Sequence, residues 1–341
     1  MRWRYLRYDG AFKMAMKNLI LTAVLLFSAS PVVFGGADPA AQELLVAAEQ
    51  QASLFGDDAS PLQLEVDFVA QNVVPTPGHL TIKWGRKNRW WRQTTMGDFV
   101  QTEVRNGERL YTSRNAPFTP LRIPELLQLI PFSGYPQGLQ AKKQKRRVEN
   151  GIDTTCLQVE HEGDHGEPHE ICLSPATHDM LSDEWKRPPD EQRTEKYAEY
   201  FDFRGHRYPR QLELLVNGSK MISAHVVELT AAAFDEGLLA APKGAMERRM
   251  CAGMKHAVPV KTPDPVCPKS ASRNGFMGDT TVSMTVLADG SVDDIQLIGK
   301  AAHSMDEATL QTLKSWRFKP AMCGTEPVMS DIEVVVSFRL E

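Results

Sequence analysis

Residues 62–70, LQLEVDFVA, alternate apolar and polar side chains, the two-residue period of a strand with one buried face. Strand-like runs follow in HLTIKWG, RWWRQTT, FVQTEV, RLYTSR, TCLQVE, HEICLS, MLSDEWK, KYAEYFDF, RQLELLV and AHVVELT. Asn106-Gly107, Asn150-Gly151 and Asn217-Gly218 separate some of them and are two-residue hairpin signals. Ahead of the strands, Ala40 to Leu54 carries apolar residues at helical spacing and ends at Gly56 and an Asp pair. A helical interruption at Pro124 to Ile130, followed by the basic run Lys142 to Arg147, is the main break in the meander. The pattern predicts an α+β fold, a large curved antiparallel sheet wrapped around a helix, enclosing either an apolar cavity or a packed core.

The pattern changes at Met246. Residues 246–272 lack apolar periodicity and carry Pro259, Pro263, Pro265 and Pro268, so they read as an extended linker that joins neither a helix nor a central strand. Beyond it, Thr281 to Leu287 alternates, Ala288-Asp289-Gly290 turns the chain, and Val292 to Ile298 returns as a second strand. Ser304 is a candidate helix N-cap, with Asp306 and Glu307 in the first turn where negative charge favours the helix dipole. Met305, Ala308, Leu313 and Trp316 share one face of that helix, which Pro320 is expected to stop. Trp316 and Phe318 read as anchors onto a sheet, with Arg317 and Lys319 turned to solvent. Cys323-Gly324 then turns the chain into a last strand, Ile332 to Leu340, of strict alternation. The order is ββαβ. The expected division is therefore 1–37 leader or anchor, 38–245 antiparallel β domain, 246–272 linker and 273–341 carboxyl-terminal domain.

The amino terminus sets the compartment. Arg2, Arg4, Arg7, Lys13 and Lys17 precede an apolar run from Leu19 to Phe34 that ends in Gly35, Gly36 and Ala37, the layout of a secretory signal. A start at Met14 or Met16 would make that signal more compact. An uncleaved inner-membrane anchor is the alternative, although the run is shorter than the roughly 20 residues a spanning helix needs. Export to the periplasm lets disulfides persist. Cys156 and Cys172 lie in neighbouring strand-like runs and are the first candidates to pair. Among Cys251, Cys267 and Cys323 the sequence does not choose, although Cys267 with Cys323 would tie the last domain to its own start. A formal charge of -4, from 39 Lys and Arg against 43 Asp and Glu, excludes a basic nucleic-acid binder.

Two resemblances sharpen this picture. Tyr208-Pro209, Asn217-Gly218, Val226 to Leu229, Phe234 and Pro242 to Ala245 resemble the closing strands of the outer-membrane lipoprotein carrier and sorting proteins, the LolA and LolB-like fold. That likeness implies a lipid or lipoprotein carrier as an alternative function, with an amino-terminal cavity doing the work. Asp289-Gly290-Ser291-Val292, Met305-Asp306-Glu307-Ala308, Trp316-Arg317-Phe318-Lys319-Pro320-Ala321, Gly324-Thr325-Glu326-Pro327-Val328 and Phe338 resemble the TonB carboxyl-terminal domain in order and spacing. The second resemblance implies a periplasmic domain to which an extended segment of an outer-membrane receptor adds as a strand. The edge expected to accept it is Glu333, Val334, Val335, Val336, Ser337, Phe338 and Arg339. An inner-membrane motor complex is a further implied partner. The sequence departs there: no His lies between Leu19 and Phe34, a whole domain replaces the usual spacer, and Cys267-Pro268 stands where the family has Tyr-Pro.

Other motifs have plainer readings. His161-Glu162-Gly163-Asp164-His165 spells the zincin pattern, but Gly163, Gly166 and Pro168 oppose the helix that zinc chemistry needs, so a solvated hairpin loop is expected for His161, His165 and His169. Trp84, Trp90, Trp91, Phe99 and Tyr111 could line an apolar cavity, with core packing the preferred reading. Lys142 to Arg147 could contact anionic headgroups, with a solvated loop preferred. No phosphate loop, nucleophile elbow or acid-base pair stands out, so neither an enzyme, a cofactor nor a metal is expected.

Overall fold

A computed structural model describes residues 6–8, 38–55, 59–71, 74–131, 139–149, 151–161, 168–187, 191–251, 253–269, 278–299 and 303–338. The elements run as β1 (Leu6–Tyr8), α1 (Pro39–Ala52), β2 (Leu62–Ala70), β3 (Thr76–Arg86), β4 (Arg89–Met96), β5 (Phe99–Asn106), β6 (Arg109–Arg114) and α2 (Arg122–Leu129). There follow β7 (Leu139–Glu149), β8 (Ile152–His161), β9 (His169–Leu173), β10 (Met180–Arg187), β11 (Glu191–Phe203), β12 (His206–Val216) and β13 (Ser219–Ala231). The remainder is β14 (Met246–Arg249), β15 (Val258–Lys261), β16 (Gly278–Val286), β17 (Val292–Gly299), α3 (His303–Leu313), β18 (Arg317–Lys319), β19 (Ala321–Cys323), β20 (Glu326–Val328) and β21 (Ser330–Phe338). Among the described residues no helix is long and apolar enough to cross a membrane.

Strands β2 to β14 include thirteen members of one curved antiparallel sheet, ordered β14-β6-β5-β4-β3-β2-β13-β12-β11-β10-β9-β8-β7. Two meanders, β2–β6 and β7–β13, are thus sewn together where β13 pairs with β2, Val226 opposite Val66. The hairpin signals act as expected at Asn217 and Gly218, which both adopt positive φ, as the turn that matches strand twist requires. Helix α1 begins at Pro39 because the Asp38 carboxylate accepts from the N–H groups of Ala40 and Ala41 at 3.0 and 3.3 Å. From its buried face, Ala41, Leu45 and Ala48 join Leu64, Val66, Leu80, Leu212, Ile222 and the α2 residues Ile123, Leu126 and Leu129 in one core.

A second, four-stranded sheet is ordered β1-β21-β16-β17, with α3 packed on it. Val282, Met284, Val286, Leu313, Trp316, Phe318, Ile332 and Val334 form its core. The turn at Gly290 is dictated by close approach: its φ is +81°, a Cβ there would sit 2.0 Å from the Phe318 carbonyl oxygen, and Phe318 N–H donates to Gly290 O at 2.8 Å.

Several expectations need correction. Helix α3 starts at His303, so Ser304 lies inside it and does not cap it, and the helix ends at Leu313, well before Pro320. Residues 317–319 instead form β18, which pairs with β15 and keeps Phe318 buried between exposed Arg317 and Lys319. Residues 246–261 are not free of structure, because β14 adds to the large sheet beside β6 and β15 adds to β18. Both are margin strands, which Pro259 tolerates. Cys156 and Cys172 form a disulfide. Cys323 bonds Cys251, not Cys267, which stays a thiol packed against Met305, Val336 and Phe338. The bridge Lys255 to Met322 runs beside the Cys251–Cys323 bond and holds those two segments together. That leaves Cys267 on another part of the small core.

Candidate functional site: the margin of the small sheet

Strand β21 keeps the alternation read in the sequence. Ile332, Val334, Val336 and Phe338 are buried and Glu333 and Ser337 are half-buried between them, but Val335, on the other face, is buried too. Along one side it pairs with β16 over its whole length, from Ser330 opposite Val286 to Phe338 opposite Gly278. Along the other, Leu6, Arg7 and Tyr8 of β1 pair with Val334, Glu333 and Ile332. Part of the expected edge is therefore covered by the chain's own amino-terminal segment. Val335, Val336 and Ser337 have no second strand partner among the described residues, and Arg339 lies outside them.

The residues of the ordered motif hold this strand in place. The Asp306 carboxylate is buried and accepts from Thr280 Oγ1 at 2.9 Å, tying α3 to β16. Trp316 is 1% exposed, and its indole N–H donates to Pro263 O at 3.0 Å, so the helix end grips the incoming segment. Asp289 accepts from the Ser291 hydroxyl and N–H at 2.6 and 2.8 Å, which holds its carboxyl below the usual range and shapes the turn at Gly290. Pro320 follows β18, and Gly324, with φ +64°, turns β19 into β20. These residues build the strand's support and none of them reaches its open margin.

Side chains also tie the small sheet to the large one. Arg114 lies 3.0 Å from Asp294, Arg248 lies 3.2 Å from Asp331, and Arg249 pairs with Glu326. Thr285 Oγ1 donates to the same Asp331 carboxylate at 2.6 Å. Burial, then repulsion from Arg193, pulls the Arg187 guanidinium below its usual range, with Glu333 among the carboxylates that hold it up.

A buried ionic cluster on the large sheet escaped the sequence reading. Asp183 and Glu195 stand directly opposite each other on β10 and β11, at 1% and 3% exposure. Burial, and secondly the Asp183 charge, pushes Glu195 up to about 8, so it holds a proton at neutral pH. Tyr197 OH donates to Glu195 at 2.5 Å, and His169, stacked on Trp185, lies 3.1 Å from Asp183. Next to them Arg193 bridges Glu125 of α2 at 2.9 Å and Glu191 at 2.8 Å. The signal available in the sequence was the charged pair of inward positions Arg193 and Glu195 within an otherwise strand-like run.

The other candidates do not assemble. Trp84 and Phe99 are core residues and Trp90 packs at the core's margin, whereas Trp91 sits under Lys83. A groove of 770 Å³ lies on the face bearing Ser182, Glu184 and Lys196, and it is lined by charged groups such as Asp179, Arg207 and Glu213. His161 ends strand β8, so it is not on a zincin helix, and residues 162–167, His165 included, lie outside the described residues. Cys156, Glu170 and Cys172 converge, but the two sulfurs are bonded to each other and Glu170 pairs with Lys145 and Arg147.

Comparison with known proteins bears on the small sheet. Residues 263–340 match the family model for the Gram-negative bacterial TonB protein C-terminal. Protein TonB of Pseudomonas aeruginosa is 31% identical over 84 residues, 24% of this chain and 25% of that one. Protein tonB2 of the same organism is 32% identical over 79 residues, 23% of this chain and 29% of that one. The chain thus spans only a quarter to a third of the length of the curated relatives it matches. Among solved structures, the TonB CTD of Pseudomonas aeruginosa aligns at 28% identity over 26% of this chain and 97% of that one, with a TM-score of 0.23. A LolA superfamily protein of Nitrosomonas europaea aligns at 10% identity over 59% of this chain and 97% of that one, with a TM-score of 0.41. The similarity to TonB carboxyl-terminal domains is thus a property of residues 263–340, the segment that carries α3 and β21.

Proposed function

We propose that this is a TonB-family protein of the periplasm whose small sheet binds an extended peptide of an outer-membrane receptor, or of another envelope protein, by strand addition along β21. The match of residues 263–340 to the TonB carboxyl-terminal model carries the reading. Strand chemistry supports it: Val335 to Ser337 offer main-chain groups on the side away from β16, and a peptide strand would complete them. On this reading 273–341 acts as the binding domain and 38–245 as a body tied to it by the Arg114–Asp294 pair and, through β14, by the Arg248–Asp331 pair and the Cys251–Cys323 bond. No catalysis is required of it.

A pull-down of the full chain with immobilised TonB-box peptides tests the proposal. Capture is expected for the extended peptide and loss of capture for a version interrupted by proline, which cannot donate along the ladder. Equal capture of both peptides, or of neither, would sink the idea.

A further inference from the structure

The basic run Lys142 to Arg147 is not a loop. It is the middle of β7, the last strand of the large sheet, paired among the described residues with β8 alone. Its first residues are covered by α1, since Asp38 N–H donates to Ala141 O at 2.9 Å and Gln42 contacts both Leu139 O and Ala141 N–H. Past that point no described strand lies along its outer side, and it is cationic, with five Lys or Arg side chains in the six positions 142–147. Glu170 answers only Lys145 and Arg147, at 2.5 and 2.6 Å. Lys143 and Arg146 are exposed and face no carboxylate among the described residues. At the far end the β7–β8 hairpin carries two apolar side chains into solvent, Val148 at 66% and Ile152 at 57% exposure.

A lysine or two on an open strand is an ordinary guard against unwanted pairing. Such a guard explains neither the length of this run nor the exposed valine and isoleucine at its tip. A basic shaft whose end exposes a valine and an isoleucine, next to Glu149 and Asp153 in the sequence, matches the layering of an anionic bilayer surface, with the cations at the headgroup phosphates and the two apolar side chains below them.

We infer that the β7–β8 hairpin is a docking element for an anionic lipid surface, Lys143 and Arg146 contacting headgroup phosphates while Val148 and Ile152 enter the acyl boundary. This site is separate from β21 and goes beyond the peptide-binding reading. It places the large sheet against a membrane while the small sheet stays accessible to a partner.

Vesicle co-sedimentation of the full chain tests it, with Arg2→Gln, Arg4→Gln and Arg7→Gln as background so that amino-terminal cations do not contribute. The readout is the ratio of binding to phosphatidylcholine–phosphatidylglycerol vesicles over binding to pure phosphatidylcholine. The ratio is expected to fall roughly thirtyfold in Lys143→Gln/Arg146→Gln, given the typical gain per cation near an anionic surface. In Val148→Ser/Ile152→Ser binding to the phosphatidylcholine–phosphatidylglycerol vesicles is expected to fall about tenfold, with the ratio and its salt dependence kept. Thermal unfolding matching the parent shows that each variant is folded, as exposed positions should be. A ratio of one in the parent, or a ratio unmoved by Lys143→Gln/Arg146→Gln, overturns the inference. So does capture of soluble polyglutamate without capture of vesicles, which would make the strand an acidic-peptide site. TonB-box capture by the same variants is expected to be unchanged, so failure here leaves the β21 reading standing.

Discussion

Strands β21 and β7 both lie at the margin of a sheet, and they are shielded in opposite ways. β21 is apolar at every second position and its margin is covered over Ile332 to Val334 by β1. β7 is cationic at five of its six central positions and, after the cover by α1, has no further strand beside it among the described residues. The difference teaches what makes an open strand tolerable. Unpaired main-chain groups attract any extended chain, so an apolar strand needs a covering segment, whereas like charges repel a second copy of themselves. The two proposals above follow the same contrast, with a peptide able to displace a short three-residue strand at β21 and an anionic surface at β7.

Four experiments would break or sharpen that contrast. The largest effect is expected from Trp316→Ala, which removes a buried indole and its bond to Pro263 O and should cost the small sheet about 3–5 kcal/mol in denaturant unfolding. Peptide capture at β21 should be lost while vesicle binding through β7 survives. Raising the pH should act on the other sheet. Glu195 titrates near 8 in the folded chain against 4.5 when exposed, so stability present below about 4.5 is progressively lost as pH rises through about 8. The Asp183 charge opposes ionisation, and Tyr197 and Arg193 favour it. The loss should reach a few kcal/mol in the unfolding of the large sheet, and Glu195→Gln should abolish that pH window.

Gly290→Ala should destabilise the small sheet by about 1–3 kcal/mol, because the added carbon meets the Phe318 carbonyl and the φ is positive. A thermal melt followed by the Trp316 signal would check it. The smallest effect on stability is expected from removing residues 1–8. Global unfolding should change little, yet TonB-box capture should rise several-fold as β1 vacates β21. Unchanged capture would mean that β1 does not compete with the peptide.

Legibility in the sequence followed the strength of one-sided burial. β2, β16 and β21 could be read because each sets apolar side chains against one core, leaving alternation behind. β7 could not, since most of its central side chains are polar and its strand character comes from β8 beside it. β14 and β15 were missed for the same reason: four residues each, little apolar period, and partners on β6 and β18 that are distant in sequence. Strand β18 was absorbed into the preceding helix because Trp316 and Phe318 also suit a helix end packed on a sheet.

Local chemistry along the chain sufficed for the α+β class, the ββαβ order at the end, the turns at Gly218 and Gly290, and the Cys156–Cys172 pairing of adjacent strands. Each depends on residues near one another in sequence or on a repeated burial period. The Cys251–Cys323 bond, the covering of β21 by β1, the openness of β7 and the proton held on Glu195 were different in kind. They depend on which segments far apart in the chain meet, and on how much water and charge those meetings leave around a side chain, which no local pattern encodes.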